Sequence, residues 1–128
     1  MSVTVIDASA VAAVLFMEPE GEALSHGIEG RLIAPLLLPF ELANVCRSKM
    51  RGRPGQAEAW LGRYRELPRL GIELVPVDMD VVPELAIRFN LTAYDAAYLQ
   101  AALQYSAPLV TLDMRLEAGF AAAKNEIL

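Results

Sequence analysis

The side chains here best suited to chemistry are carboxylates, and four of the 16 acids stand apart by position. Asp7 closes the run Val5-Ile6-Asp7-Ala8-Ser9, and Glu41 lies in Pro39-Phe40-Glu41-Leu42-Ala43-Asn44. Asp95 lies in Thr92-Ala93-Tyr94-Asp95-Ala96-Ala97, and Asp113 ends Leu109-Val110-Thr111-Leu112-Asp113. All four sit among apolar neighbours, at places that read as strand ends or helix starts. Each has an ordinary explanation. Asp7 and Asp113 suit helix N-caps, Asp95 with Thr92 comes close to a capping box, and a Glu in a first helical turn is favoured by the helix dipole. A cap accounts for one helix but not for four acids at one crevice. Four carboxylates within a few ångströms repel one another and need a cation, and oxygen-only ligation of that kind suits Mg²⁺ or Mn²⁺.

Other chemistries have little to work with. The single cysteine, Cys46, cannot form an internal disulfide or a structural zinc site. The single histidine, His26, is the only candidate base for a Ser-His or Cys-His device, and neither residue has a motif around it. Cys46 lies in an apolar helical stretch and reads as core.

The elements that must position the acids follow from periodicity. Ser2 to Ile6, Leu32 to Ala34, Ile72 to Val77 and Leu109 to Thr111 read as short strands, the third an edge because it carries Pro76. Between them the pattern predicts helices over Ala8 to Met17, Glu22 to Ile28, Pro39 to about Met50, Gln56 to about Leu67, Asp80 to Phe89 and Thr92 to Tyr105. Glu18-Pro19-Glu20-Gly21 reads as a helix break. A last helix runs from Asp113 to about Lys124, and Glu126 to Leu128 could add an edge strand. Short apolar strands alternating with helices imply α/β architecture, a mainly parallel sheet of four to five strands with helices on both faces. Residues 1–128 read as one domain, with a helical hairpin at about 39–67. In such sheets the functional crevice lies beyond the carboxyl ends of the strands, which is where the four acids fall.

Composition fits a folded chain of 128 residues, with 55% hydrophobic and 21% charged residues. That excludes intrinsic disorder. A net charge of −5 is the opposite of what phosphate-driven duplex binding requires, so a nucleic-acid substrate needs a cation or a local basic patch. Seven of the 11 basic residues do cluster, at Arg47, Lys49, Arg51, Arg53, Arg63, Arg65 and Arg69. Glu41, Asn44, Ser48 and Arg51 follow helical spacing from the acids toward that cluster, so Arg47 and Arg51 are candidate contacts for single-stranded RNA. Trp60 and Tyr64 read as hairpin core. The longest uncharged run, Ala96 to Leu112, is 17 residues with Pro108 and two Gln, too short and polar for a membrane span. No targeting segment is apparent, and a soluble, cytoplasmic protein is expected.

In order and spacing these segments resemble the PIN-domain nucleases, closest to the VapC-like ribonuclease toxins of toxin–antitoxin pairs. The likeness runs through Asp7-Ala8-Ser9, Glu41 with Asn44 one turn on, Tyr94 to Ala102, and Leu109 to Asp113. It implies a PIN-like three-layer α/β/α sandwich and an Mg²⁺- or Mn²⁺-dependent endoribonuclease. Asp7, Glu41, Asp95 and Asp113 would be the acidic quartet, Ser9 the hydroxyl supporting the first acid, and Glu117 an outer acid. Asp7 and Asp95 would be the main ligands, while Glu41 and Asp113 would hold a water on the ion or a second ion. The resemblance further implies an RNA substrate, a VapB-like antitoxin lying along the helical groove, and a homodimer, for which Leu36 to Phe40 would suit the surface. Two alternatives remain open, a non-catalytic PIN-like binding module and a housekeeping RNA-processing nuclease. A phosphorylation receiver domain would want two adjacent acids early, and a dehalogenase-like phosphatase Asp-x-Asp, where this chain has Asp7-Ala8-Ser9.

Overall fold

A computed structural model describes residues 2–28 and 30–127. The β-branched and Leu-rich runs form four strands, β1 (Val3–Ile6), β2 (Arg31–Pro35), β3 (Glu73–Val75) and β4 (Leu109–Val110). They pair in the order β3-β2-β1-β4, every pair parallel. Parallel strands cannot be joined by tight turns and need crossovers. Helices α1 (Ala8–Leu15) and α2 (Pro19–Gly27) make the first, α3 (Leu38–Gly52) and α4 (Ala57–Tyr64) the second, and α5 (Val82–Arg88) and α6 (Ala93–Gln104) the third; α7 (Met114–Ile127) follows β4. Successive strands spread from β1 toward β3, and then the chain returns to the other side of β1 as β4. The order therefore reverses between β1 and β4, and the crevice beyond their carboxyl ends is where an open α/β sheet places a ligand site.

Burial explains why the central elements look as they do. Val5, Ile6, Ile33 and Ala34 are buried, as expected for strands covered on both faces. Helix α6 is buried at Ala96, Ala97, Tyr98, Leu99, Ala101 and Ala102, and its small residues let it lie close to the sheet. Cys46 is buried in α3 against the same core, and burial pushes its thiol upward in pKa, as a core cysteine requires.

Three sequence expectations need correction. Glu18-Pro19-Glu20-Gly21 does not break the chain for long, because Pro19 occupies the first turn of α2, where its fixed φ suits a helix. Gly21 then lies so close to α1 that a Cβ there would fall 2.2 Å from the Ala13 carbonyl oxygen. The hairpin's second helix ends at Tyr64, and a 3₁₀ turn over Leu67–Leu70, built around Pro68, replaces its expected last residues. Glu126 and Ile127 belong to α7 and not to a strand, and Leu128 lies outside the described residues.

Candidate active site

Asp7 sits at the switch between β1 and β4. It caps α1, its Oδ1 accepting the Ala10 amide at 3.0 Å and the Ser9 hydroxyl at 2.8 Å. Its Oδ2 accepts the Thr111 hydroxyl at 2.6 Å from the end of β4. A carboxylate offers about four acceptor positions, so about one remains, on Oδ2. The same two hydroxyls reach onward. Ser9 Oγ accepts the Leu112 amide at 3.0 Å, and Thr111 Oγ1 accepts the Asp113 amide at 2.9 Å. Asp113 in turn caps α7, taking the Arg115 and Leu116 amides on Oδ1 at 2.9 and 3.3 Å. Asp7 and Asp113 are thus tied into one hydrogen-bonded corner.

Glu41 and Asp95 approach the crevice from the helices. Glu41, in the first turn of α3, accepts the Tyr98 hydroxyl on Oε1 at 2.7 Å, and Tyr98 is buried beneath it in α6. Asp95 lies one turn before Tyr98, its backbone amide held by the N-cap Thr92 Oγ1 at 3.1 Å. The reciprocal half of a capping box is not formed among the described residues, so the Asp95 carboxylate is not tied up as a cap, and it lies near enough to Asp113 and Asp7 to feel their charge.

Burial and neighbouring charge raise three of the four carboxyl groups. The Asp7 carboxyl is raised above its ordinary value, chiefly by burial, with the Asp113 charge adding to the rise and its three hydrogen bonds opposing it. Glu41 is raised by burial and by the charges of Asp95 and Asp7, against the Tyr98 hydrogen bond. Asp95 is raised by burial and by Asp113 and Asp7. The Tyr98 hydroxyl is pushed far upward by burial and by its bond to Glu41, so it remains a proton donor throughout the working range. Even so, no three acids among the described residues converge closely enough to hold one ion between them in this arrangement. The donor set nevertheless fits a hard divalent cation. It is all oxygen, with no thiol or imidazole, and its raised carboxyl groups gain most from a nearby positive charge.

The other sequence candidates are placed as follows. Ser9 supports Asp7. Asn44 is exposed beside Glu41, and Glu117 is exposed in the first turn of α7. Arg47 and Arg51 are exposed on α3 and make no ion pair among the described residues. Lys49 departs from the expected basic track. Its Nζ lies 3.3 Å from Glu18 and over the rings of Phe16 and Trp60, at 5.4 and 4.8 Å, where it ties the hairpin to α1. Trp60 and Tyr64 pack against the core, Trp60 edge-on to Phe16. Two residues escaped sequence reasoning as site members, Thr111 and Tyr98. The available signal was a hydroxyl in an otherwise apolar run, two residues before Asp113 in one case and one turn after Asp95 in the other.

A parallel sheet with its strand order reversed at β1, and four acids set around the reversal, is the arrangement of one known class. The family model for the PIN domain matches residues 4–119, and the chain belongs to that family. Among its relatives are the VapC ribonuclease Mb0985 of Mycobacterium bovis and the ribonuclease VapC9 of Mycobacterium tuberculosis. Each is 36% identical over 115 residues, spanning 88% of this chain and 87% of the relative. The crystal structure of PAE2754 from Pyrobaculum aerophilum superposes with a TM-score of 0.74 at 21% identity, covering 99% of this chain and 98% of that one, and so shares the fold.

Proposed function

We propose that this protein is a divalent-metal-dependent endoribonuclease acting as a single PIN-like domain, the toxin of a toxin–antitoxin pair. The observation carrying the reading is the placement of Asp7 and Asp113 in one hydrogen-bonded corner at the strand-order reversal, with Glu41 and Asp95 raised by burial and by the charges of neighbouring acids, in a chain whose relatives are named as ribonucleases. Asp7 and Asp95 would hold the ion, Mg²⁺ or Mn²⁺, with Glu41 and Asp113 completing its surroundings. When bound, such an ion polarises a phosphodiester and lowers the pKa of water enough to make a nucleophile at neutral pH.

The residues of the chain do the rest. Thr111 and Ser9 fix the Asp7 carboxylate by donating to both of its oxygens. Tyr98 holds Glu41 by one oxygen and leaves the other free. Arg47 and Arg51 offer positive charge on the face of α3 that leads away from Glu41, a path for the RNA backbone. No side-chain nucleophile is required. The same reading includes a VapB-like antitoxin, a homodimer and a cytoplasmic location; no helix among the described residues is long and apolar enough to cross a membrane.

Incubating the purified protein with total RNA in EDTA, and then with excess Mg²⁺ or Mn²⁺, tests the nuclease. Cleavage is expected only with metal. Equal cleavage in chelator would overturn the metal dependence. Expression alone should slow growth, with relief by a co-expressed partner; harmless expression of folded protein with intact RNA would remove the toxin assignment.

A further inference from the structure

Two aromatic side chains stand out of the surface beside the carboxylates, each one residue ahead of an acid. Phe40 precedes Glu41 and is 78% exposed, and Tyr94 precedes Asp95 and is 65% exposed. Aromatic rings are normally packed away, and neither of these has a core to join. Both line one cleft of about 340 Å³ whose remaining walls are Leu37, Glu41 and Asn44. That volume lies within the ~300–1,000 Å³ of small-ligand clefts. Tyr94 also lines a second cleft, among Leu36, Val77 and Met79.

The sequence suggested that Leu36 to Phe40 would suit a dimer, but the cleft has the wrong lining for a dry apolar seam. A second copy seated on Phe40 and Tyr94 would cover the Glu41 carboxylate, whose bond from Tyr98 satisfies only one oxygen, and the Asn44 amide, and covering a charge without supplying further donors is costly. A nucleobase meets both demands. Its faces stack on aromatic rings, while its edge carries donors and acceptors for an amide and donors for a carboxylate. We propose that Phe40 and Tyr94 form a stacking subsite for one base of single-stranded RNA, with Asn44 at the base edge, directly beside the acidic crevice. The proposal rests on the nuclease reading above and adds to it the part that holds the substrate. It also removes a difficulty of that reading, since a protein of net charge −5 gains affinity for RNA here through the uncharged part of the nucleotide.

The test uses a single-stranded, phosphorothioate-linked octaribonucleotide carrying 2-aminopurine, whose fluorescence is quenched by stacking, added to the full-length protein in Mg²⁺. Wild type, Tyr94→Phe and Phe40→Tyr should bind and quench. Phe40→Leu and Tyr94→Leu keep apolar bulk but lose the ring, and should bind about tenfold or more weakly, with the quench lost. Ile87→Leu, exposed on α5 and outside the cleft, is the control and should match wild type. Both rings are exposed, so these variants should melt like wild type. Leucine variants that bind and quench normally would overturn the subsite. So would leucine variants that turn a dimer into monomers by light scattering, which would assign the face to a second copy. Cleavage of unmodified RNA by wild type is read separately. Its absence with quenching intact sinks the nuclease reading alone, and its presence with no ring dependence sinks the subsite alone.

Discussion

The two halves of the crevice are built on different terms. On the sheet side, Asp7 is 3% exposed and accepts three hydrogen bonds that link β1, α1 and the end of β4. On the helix side, Glu41 and Asp95 are half-buried, and Glu41 has a single side-chain partner, Tyr98. Asp7 is therefore a structural joint as well as a site residue, whereas Asp95 can lose its carboxylate without stranding a buried donor. The sheet-side carboxylate is held by more bonds than the helix-side ones.

Deleting one acid from each side should separate the two roles most sharply. Asp7→Ala and Asp95→Ala should each reduce metal-dependent cleavage at least a hundredfold, beyond the ~10–100-fold typical of outer-sphere partners. Their stabilities should diverge. Asp7→Ala loses the α1 cap and leaves the Ser9 and Thr111 hydroxyls without their acceptor, a cost of roughly 1–3 kcal/mol after relief of repulsion is subtracted. Asp95→Ala should stay within about 1 kcal/mol of wild type. Urea unfolding in EDTA measures both, and equal costs would erase the distinction between the sides.

A smaller contrast lies between the hydroxyls. Thr111→Val removes the donor to Asp7 and the acceptor for the Asp113 amide, so cleavage should fall about 10–100-fold and stability by about 1–2 kcal/mol. Tyr98→Phe frees only Glu41, which water can reach, and should sit near the bottom of that range in activity, about tenfold. Mn²⁺ titration calorimetry on both variants decides whether the loss is in metal affinity. If Tyr98→Phe proves as damaging as Thr111→Val, the helix side is as rigid as the sheet side.

The smallest effect concerns charge alone. Asn is nearly the same shape as Asp, and Thr92 rather than the Asp95 carboxylate caps α6, so Asp95→Asn leaves geometry in place while removing a repelling charge. In EDTA the variant should melt above wild type. Saturating Mg²⁺ should stabilise wild type by about 2.7 kcal/mol at a hundredfold excess over Kd, and the variant by less. Identical shifts would withdraw Asp95 from the metal site. Protons should act as Asn does. Asp7, Glu41 and Asp95 hold protons more tightly when folded than at their ordinary values of 3.8, 4.5 and 3.8. The folded state therefore binds more protons just above those values, and metal-free stability should fall as pH rises through the raised ones. Thermal melts in EDTA across that interval, repeated in Mg²⁺, should show the slope and its flattening.

Much of this was legible locally. The capping roles of Asp7 and Thr92 depend on residues within three positions, and the apolar sides of β1 and α6 depend on period alone. What sequence could not place was register. Tyr98 meets Glu41 across 57 positions, and Thr111 meets Asp7 across 104. Which hydroxyl faces which carboxylate is decided by how β4 lies on β1 and how α6 lies under α3. Lys49, counted in sequence with the basic cluster, turns inward for the same reason, since its partners Glu18, Phe16 and Trp60 come from other elements.

The sheet's margins carry a consequence of their own. A parallel sheet with long free edges invites a foreign strand to continue it, the first step of aggregation. Here β3 has three residues and β4 two. Beyond β3 the Pro76 carbonyl is already taken by the Tyr105 hydroxyl at 2.8 Å, and Pro108, just ahead of β4, has no amide to offer. Neither margin presents a run of open backbone groups. A chain that is 55% hydrophobic is thereby shielded at its sheet margins against strand-by-strand growth.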